Sequence, residues 1–314
     1  MILSYDQIKN ITVGAVFMEN TDEGMKFYKY SPNMISAWIE RDPSSGPRVK
    51  STTGVRLDFH TNSKRMRLEI ENRAKFEIYI DGLLRYSMKD VESLSVDIDT
   101  PRGDPIENAH IVIYFPSHKV GVLKMLELDD CASITPHCFD KKILFMGDSI
   151  TQGWAAEFDS LSFANKVSRY FNAESVIQGV GGSRFFSRFL EKLPIDFDWV
   201  VVAYGTNDYD RYKNFEEFKA PMSEYMLKLS QIYGDKKIFV ISPIWRKFST
   251  TEASQKFEIY RSAIADEAKK YGFIHVDGSC LVPPIEALYT DGLHPNDIGF
   301  SIYAENLIRI MEQS

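Results

Sequence analysis

Lys142-Ile-Leu-Phe-Met-Gly-Asp-Ser-Ile-Thr-Gln152 is the stretch from which the fold is read. Ile143 to Met146 is a short unbroken apolar run. Such a run reads as a strand buried on both faces, as in a parallel sheet. It stops at Gly147, and Asp148-Ser149-Ile150 then places a hydroxyl just past the strand's carboxyl end. In open α/β sheets that edge is where ligands bind. A serine there can act as a nucleophile, or simply bond its own backbone in a turn. Gly-Asp-Ser by itself occurs by chance in roughly one chain in ten of this length, so the surrounding chain has to decide.

The chain has 314 residues, 44% of them apolar and 26% charged. That length holds one large or two ordinary domains, and that composition is typical of a soluble globular protein. A net charge of −7 argues against nucleic acid or an anionic membrane as the main partner. No apolar stretch reaches the length of a membrane span. Met1 to Lys9 has no basic region followed by an apolar core, so the expected location is cytoplasmic. Cys131, Cys138 and Cys280 make neither a disulfide framework nor a metal-ligand spacing, and free thiols are expected.

Residues 1–136 read as an all-β domain. Short runs at 11–18, 34–40, 55–60, 66–71, 76–80, 94–98, 111–115 and 120–128 are rich in β-branched or aromatic residues, and Val55-Arg-Leu-Asp-Phe-His60 alternates apolar with polar. Asp81-Gly82 between two such runs is a hairpin signal. About eight short strands suggest a β-sandwich, jelly-roll-like. No helix is expected there. Trp38 is either a stacking platform for a sugar or part of the core.

Residues 137–314 read differently. Strand candidates at 143–146, 175–177, 199–204, 238–241 and 273–276 alternate with helical stretches: 163–171 behind Ser162, 215–233 behind Asn214 with Glu217, 252–271 behind Thr251 and ending at Gly272, and a last helix after Pro295. The caps and the helical spacing of the apolar residues set these assignments. The expected fold is a three-layer α/β domain with a parallel five-stranded sheet.

The residues just past each strand carry the chemistry. Ser149 comes after the first, Gln178-Gly-Val-Gly-Gly-Ser183 after the second, Gly205-Thr-Asn-Asp208 after the third, Ser242-Pro-Ile-Trp-Arg246 after the fourth, and a loop ending in Asp291-Gly-Leu-His-Pro295 after the fifth. In a parallel sheet these points share one edge. Acyl transfer needs a nucleophile, an oriented base and oxyanion donors. Ser149 needs a base to take its proton, and histidine, here His294, is the side chain that titrates near neutrality. Asp291, three residues earlier, can hold the other ring nitrogen. Gly182, Asn207 and the Ser149 N–H can point donors at one oxygen, with the Asn207 side chain expected to face the site unencumbered. Asp148 and Asp208 are expected to brace their loops, His275 to sit in the core and His137 to be solvated. Thr151 stands where a Gly-x-Ser-x-Gly elbow would have its second glycine, no metal-ligand cluster is evident, and the glycines lack a P-loop lysine.

Across residues 140–314 the chain resembles the SGNH (GDSL-type) hydrolase superfamily. The resemblance rests on Gly147-Asp-Ser-Ile-Thr151, Val180-Gly-Gly182, Gly205-Thr-Asn-Asp208 and Asp291-Gly-Leu-His-Pro-Asn296, in that order. It implies a flavodoxin-like αβα fold and ester hydrolysis without a metal or other cofactor. It assigns the nucleophile to Ser149, the base to His294, the acid to Asp291, and the oxyanion donors to Ser149, Gly182 and Asn207. Gln178 stands where asparagine is frequent, and the neighbouring glycines leave Gly181 as a second choice for Gly182. A sandwich ahead of the catalytic domain is similar to a branch containing sugar-acetyl esterases.

The expected activity is therefore a serine esterase removing a small acyl group, acetyl above all, from a small-molecule or oligosaccharide ester. Trp154, Trp245 and Arg246 are the candidate substrate-binding residues, and no apolar lid of the lipase kind is evident. The same residues leave open an acyltransferase, a thioesterase or general small-ester esterase, and a silent carbohydrate-binding protein.

Overall fold

The computed structural model describes every residue except 72–74, 90–91 and 213. Its centre is a parallel sheet of Lys141–Gly147, Ala173–Gly179, Trp199–Ala203, Lys237–Ile241 and Ile274–Val276. Counted along the chain, the spatial order is 2-1-3-4-5. This flavodoxin-like order reverses direction beside the first strand, where a crevice opens at the carboxyl edge. Lys141–Gly147 is paired on both sides, to Ala173–Gly179 and to Trp199–Ala203. Its apolar residues therefore split between two faces.

Leu144, Met146, Val200 and Val202 pack with Phe218, Met222, Tyr225, Tyr260 and Ile264 on one side. Ile143, Phe145, Val201 and Phe239 pack with Phe163, Val167, Phe300, Tyr303 and Leu307 on the other. The covering helices are Phe215–Tyr233 and Thr251–Lys270 on the first face, and Phe163–Tyr170 and Asp297–Glu312 on the second. Ser162 and Asn214 cap as their sequences imply. The third helix begins a residue earlier than expected: Thr250, not Thr251, accepts the Ala253 N–H. Three layers, helix on sheet on helix, result.

Ahead of this sheet lie two antiparallel sheets. One joins Thr12–Val13, Arg56–Thr61, Ala109–Tyr114, Phe76–Ile80 and Leu83–Met88, with Ile134–Pro136 added on Arg56–Thr61. The other joins Phe17–Thr21, Gly24–Tyr28, Val122–Leu128, Arg65–Ile70 and Ser93–Asp97. Leu57, Phe59, Ile78, Ile111 and Ile113 of the first face Phe27, Leu68, Val96 and Leu126 of the second across a common core. Asp81 and Gly82 make the hairpin with positive φ of 48° and 78°.

Two features of this part differ from the sequence reading. Residues 34–40 are not a strand: Pro32–Arg41 is a helix, and Tyr5–Asn10 and Gly46–Val49 are helical too. Ser31 accepts the Met34 N–H and Pro32 occupies the first turn, a helix start that outweighs the β-forming residues behind it. Met34, Ile35 and Trp38 then fall on one buried face. Trp38 is no exposed platform. Its ring stacks on Phe189 at 3.5 Å and joins the core of the parallel domain.

The alternating strand Arg56–Thr61 is the second. Its polar face is buried as well: Arg56 bonds Asp58 at 2.8 Å and the Ala173 carbonyl at 2.9 Å. Glu77, also buried, accepts the N–H groups of Asp159 and Ser160. The sandwich thus docks on the parallel domain through paired polar groups, which satisfies charges that water would otherwise solvate. Cys131, Cys138 and Cys280 are free and exposed. Among the described residues no helix is long and apolar enough to cross a membrane.

Candidate active site

The strand Lys141–Gly147 delivers Ser149 to the crevice. Gly147 is needed for the turn: a Cβ there would lie 2.0 Å from Thr151 Oγ1 and 2.8 Å from the Ala203 carbonyl. Asp148 caps the short helix Ser149–Gln152, accepting the Ile150 N–H at 2.9 Å. Ser149 Oγ lies 2.8 Å from His294 Nε2. His294 Nδ1 lies 2.8 Å from Asp291 Oδ2. The other carboxylate oxygen, Oδ1, accepts the N–H groups of His294 at 2.8 Å and Leu293 at 3.0 Å.

The loop is itself pinned. Thr290 N–H bonds the His294 carbonyl, Asn296 N–H bonds the Leu288 carbonyl, and Asn296 caps the last helix. Burial alone would raise the Asp291 pKa, but the hydrogen bonds from His294 and Leu293 hold it below the usual carboxylate value. The carboxylate therefore stays ionised across the neutral range, which keeps the ring oriented.

Gly182 adopts φ +78°, the left-handed region where glycine carries no Cβ penalty. The two candidate glycines are separated by their bonding. Gly181 donates its N–H to Gln152 Oε1 at 2.8 Å. Gly182 is exposed, and among the described residues no acceptor engages its N–H.

Asn207 is not as unencumbered as its sequence position suggests. Its Nδ2 lies 3.2 Å from Asp148 Oδ2 and 3.1 Å from the Ser183 carbonyl. These bonds engage both Nδ2 hydrogens and complete the partners of Asp148, so donation to an oxyanion requires one of them to leave its present acceptor. Burial pushes the Asp148 carboxyl up to about 7 against the pull of the Ile150 N–H. It raises Asp208 to about 7 as well, opposed by Arg184 and by the Phe185 N–H that Asp208 accepts. Both aspartates brace loops in this way.

Trp154 is 49% exposed. Its ring lies 6.2 Å from that of His294 and 5.1 Å from that of His118. His118 belongs to the sandwich part and is half-buried, and burial lowers its pKa to about 4. Trp245 packs on Tyr289 at 4.9 Å, at the root of the His294 loop. Arg246 bonds Asp210 at 2.7 Å and the Thr206 carbonyl at 3.4 Å, so its charge is already matched. Phe185 is fully buried. Sequence reasoning missed His118, Gln152 and Arg48 at this edge, because nothing local marks them.

Among the described residues, His60, His110 and His137 form the one histidine cluster close enough to hold an ion. Their rings lie within 14–22° of parallel, whereas a shared ion must lie in the plane of each ring. His60 Nε2 and His137 Nδ1 instead share a hydrogen bond at 2.9 Å. His137 is not solvated: its Nε2 lies 2.8 Å from Asn172 Oδ1. His275 is half-buried against Ser242.

A serine backed by histidine and aspartate, at the carboxyl edge of a three-layer sheet, is an arrangement suited to acyl transfer. Residues 145–302 match the family model described as GDSL-like Lipase/Acylhydrolase. The chain belongs to this family and is a carboxylic ester hydrolase. The isoamyl acetate-hydrolyzing esterase of Schizosaccharomyces pombe is 25% identical over 195 residues, 55% of this chain and 76% of that protein. The salicylyl-acyltransferase SsfX3 of a tetracycline biosynthetic pathway superposes with TM-score 0.81 at 19% identity, covering 96% of this chain and 94% of that one. A family two carbohydrate esterase from Clostridium thermocellum, solved with cellohexaose, gives TM-score 0.68 at 15% identity, covering 96% and 98%. Both solved structures share the fold of the whole chain, sandwich included.

Proposed function

We propose that the chain hydrolyses small acyl esters, acetyl above all, carried on a carbohydrate. The observation that carries this reading is the chain of contacts Ser149 Oγ to His294 Nε2 and His294 Nδ1 to Asp291 Oδ2, each at 2.8 Å. In this reading Ser149 Oγ attacks the ester carbonyl carbon as His294 Nε2 takes its proton. The carbonyl oxygen becomes an oxyanion beside the N–H groups of Ser149 and Gly182 and the Asn207 amide. The tetrahedral species collapses, and His294 returns the proton to the leaving alcohol. Water then repeats the sequence on the acyl-enzyme, releasing the acid and restoring Ser149.

Trp154 lies beside the base, with His118 packed on it, which favours a short acyl group and offers one aromatic face to a sugar ring. The names of the relatives agree with acyl chemistry on small and on carbohydrate esters. A panel of acetylated sugars and chromogenic esters of graded length is the test. Acetyl esters should exceed octanoyl esters in kcat/KM, and acetylated sugars should be turned over. A preference for long chains would refute the small-acyl reading. The likeness to SsfX3 motivates a parallel measurement of acylated product with sugar acceptors present. Transfer outrunning hydrolysis would make the same site an acyltransferase.

Asn207 supplies a second test. A neutral amide gains little from an uncharged carbonyl and more as charge grows on its oxygen. Asn207→Ala should lower kcat by roughly a hundred- to a thousandfold with little change in KM. It should also lower Tm, since Asp148 loses its Nδ2 partner. A lower Tm with kcat retained would leave Asn207 a purely structural role.

A further inference from the structure

The Gly181–Gly182 peptide is gripped from outside the parallel domain. Arg48, on the short helix Gly46–Val49, donates from Nη1 to the Gly181 carbonyl at 2.8 Å. That carbonyl and the Gly182 N–H belong to one peptide group. A guanidinium on the carbonyl oxygen draws amide electrons toward it and leaves the N–H more strongly polarised. It also fixes the plane of the peptide, and with it the direction of the N–H. Arg48 Nη1 stands 3.3 Å from where a Gly182 Cβ would be, so a side chain there would push the guanidinium aside by a few tenths of an ångström.

Arg48 is itself held. Its Nη2 bonds Asp42 Oδ2 at 3.2 Å. Its own carbonyl accepts Ser51 Oγ at 2.7 Å and Lys29 Nζ at 3.2 Å. Lys29 is fully buried, and its other partners are the hydroxyls of Ser51 and Thr53, each at 2.8 Å. The opposite side of the loop is tied to the same region. Gln152, which accepts the Gly181 N–H, donates to the Ser117 carbonyl at 2.9 Å and to Ser51 Oγ at 3.3 Å. Residues 29–53 and 117 therefore hold two successive peptides of the loop, Gly181–Gly182 through Arg48 and Val180–Gly181 through Gln152.

We propose that Arg48 is a positioning residue for the reaction: through the Gly181–Gly182 peptide it orients and polarises the Gly182 N–H, so that the N-terminal part of the chain completes the oxyanion site. The inference rests on the reading of Ser149 as nucleophile and Gly182 as oxyanion donor. It makes the sandwich part of the catalytic unit, beyond any role in holding substrate.

The test uses the full chain and a neutral chromogenic acetyl ester, so that substrate charge plays no part. Arg48→Met should lower kcat by about ten- to a hundredfold, less than loss of a donor itself, with KM within about twofold. Affinity for an alkyl boronic acid, whose tetrahedral adduct places an oxygen in the oxyanion site, should fall by the same factor as kcat/KM. The acid limb of the pH profile should not move. Arg48→Lys, which keeps a cationic donor, should recover much of the loss, and it carries the comparison if Arg48→Met does not fold. An unchanged kcat, a loss confined to KM, or boronate affinity untouched while kcat falls would each overturn the proposal. Labelling by a serine-directed fluorophosphonate separates the two levels. Wild type labelled at Ser149 with Arg48→Met fully active defeats the Arg48 inference alone. Wild type labelled elsewhere defeats the reading on which it rests.

Discussion

Ser149→Ala should lower kcat by a factor on the order of 10⁴–10⁶ while the folded protein keeps its melting temperature nearly unchanged. The hydroxyl is half-buried and its side-chain partner is His294, so its removal strands little else. His294→Ala should cost about as much, because an alcohol without a base near it is a poor nucleophile at neutral pH. The double variant should be scarcely worse than either single one. Residues that act as one unit in a single proton transfer cannot each be lost twice. Four kcat values and four melting curves, wild type included, decide the matter. Losses that multiply would mean that Ser149 and His294 act in separate steps. A Ser149→Ala protein retaining most activity would remove the nucleophile assignment outright.

Asp291→Ala should rank next, with kcat down by roughly 10³–10⁴-fold. Its carboxylate does two things at once. Oδ2 faces His294 Nδ1, and Oδ1 gathers the N–H groups of His294 and Leu293 into a tight turn. Alanine loses both, so the ring is mis-aimed as well as uncompensated. Asp291→Asn separates these contributions. The amide oxygen can still gather the backbone N–H groups, but an amide N–H facing Nδ1 would force the wrong tautomer. Asparagine should therefore be nearly as inactive as alanine and closer to wild type in Tm. The folded pKa of Asp291 lies below its ordinary value. Its contribution to stability is thus present above the unfolded carboxylate pKa and is lost only as pH falls through the lower folded value. Wild type should hold that contribution throughout the neutral range. Asp291→Asn with wild-type kcat would mean that another group orients His294.

One sugar-facing expectation changed once side chains were placed, and one candidate substrate-binding arginine is held in an ion pair. Trp38 sits in the core on Phe189, and Arg246 is paired with Asp210. That leaves Trp154, exposed beside His294, as the aromatic residue at the base with a face toward solvent. The sandwich is correspondingly less an independent sugar-binding module. Its polar strand face, Arg56 and Glu77 included, is occupied by the parallel domain.

Local pattern in the chain was enough to place the parallel sheet, the Ser162 and Asn214 caps and the order of the site blocks. Ile143–Met146 had to be a buried strand because four apolar residues in a row cannot alternate between core and water. Gly147 had to come next because the strand turns back against Thr151 with no space for a Cβ. Asp291 and His294 lie three residues apart, so their contact was also legible. The tertiary structure decided what depends on distant neighbours. Ser31-Pro32 against a β-rich run is a contest that burial of Met34, Ile35 and Trp38 on the other domain settles. The choice between Gly181 and Gly182 turns on Gln152, 29 residues away from Gly181. The grip on their peptide comes from Arg48, 133 residues away. Periodicity and capping act within a few residues. A hydrogen bond across more than a hundred leaves no trace in either, and exists only because the packed core brings its two ends together.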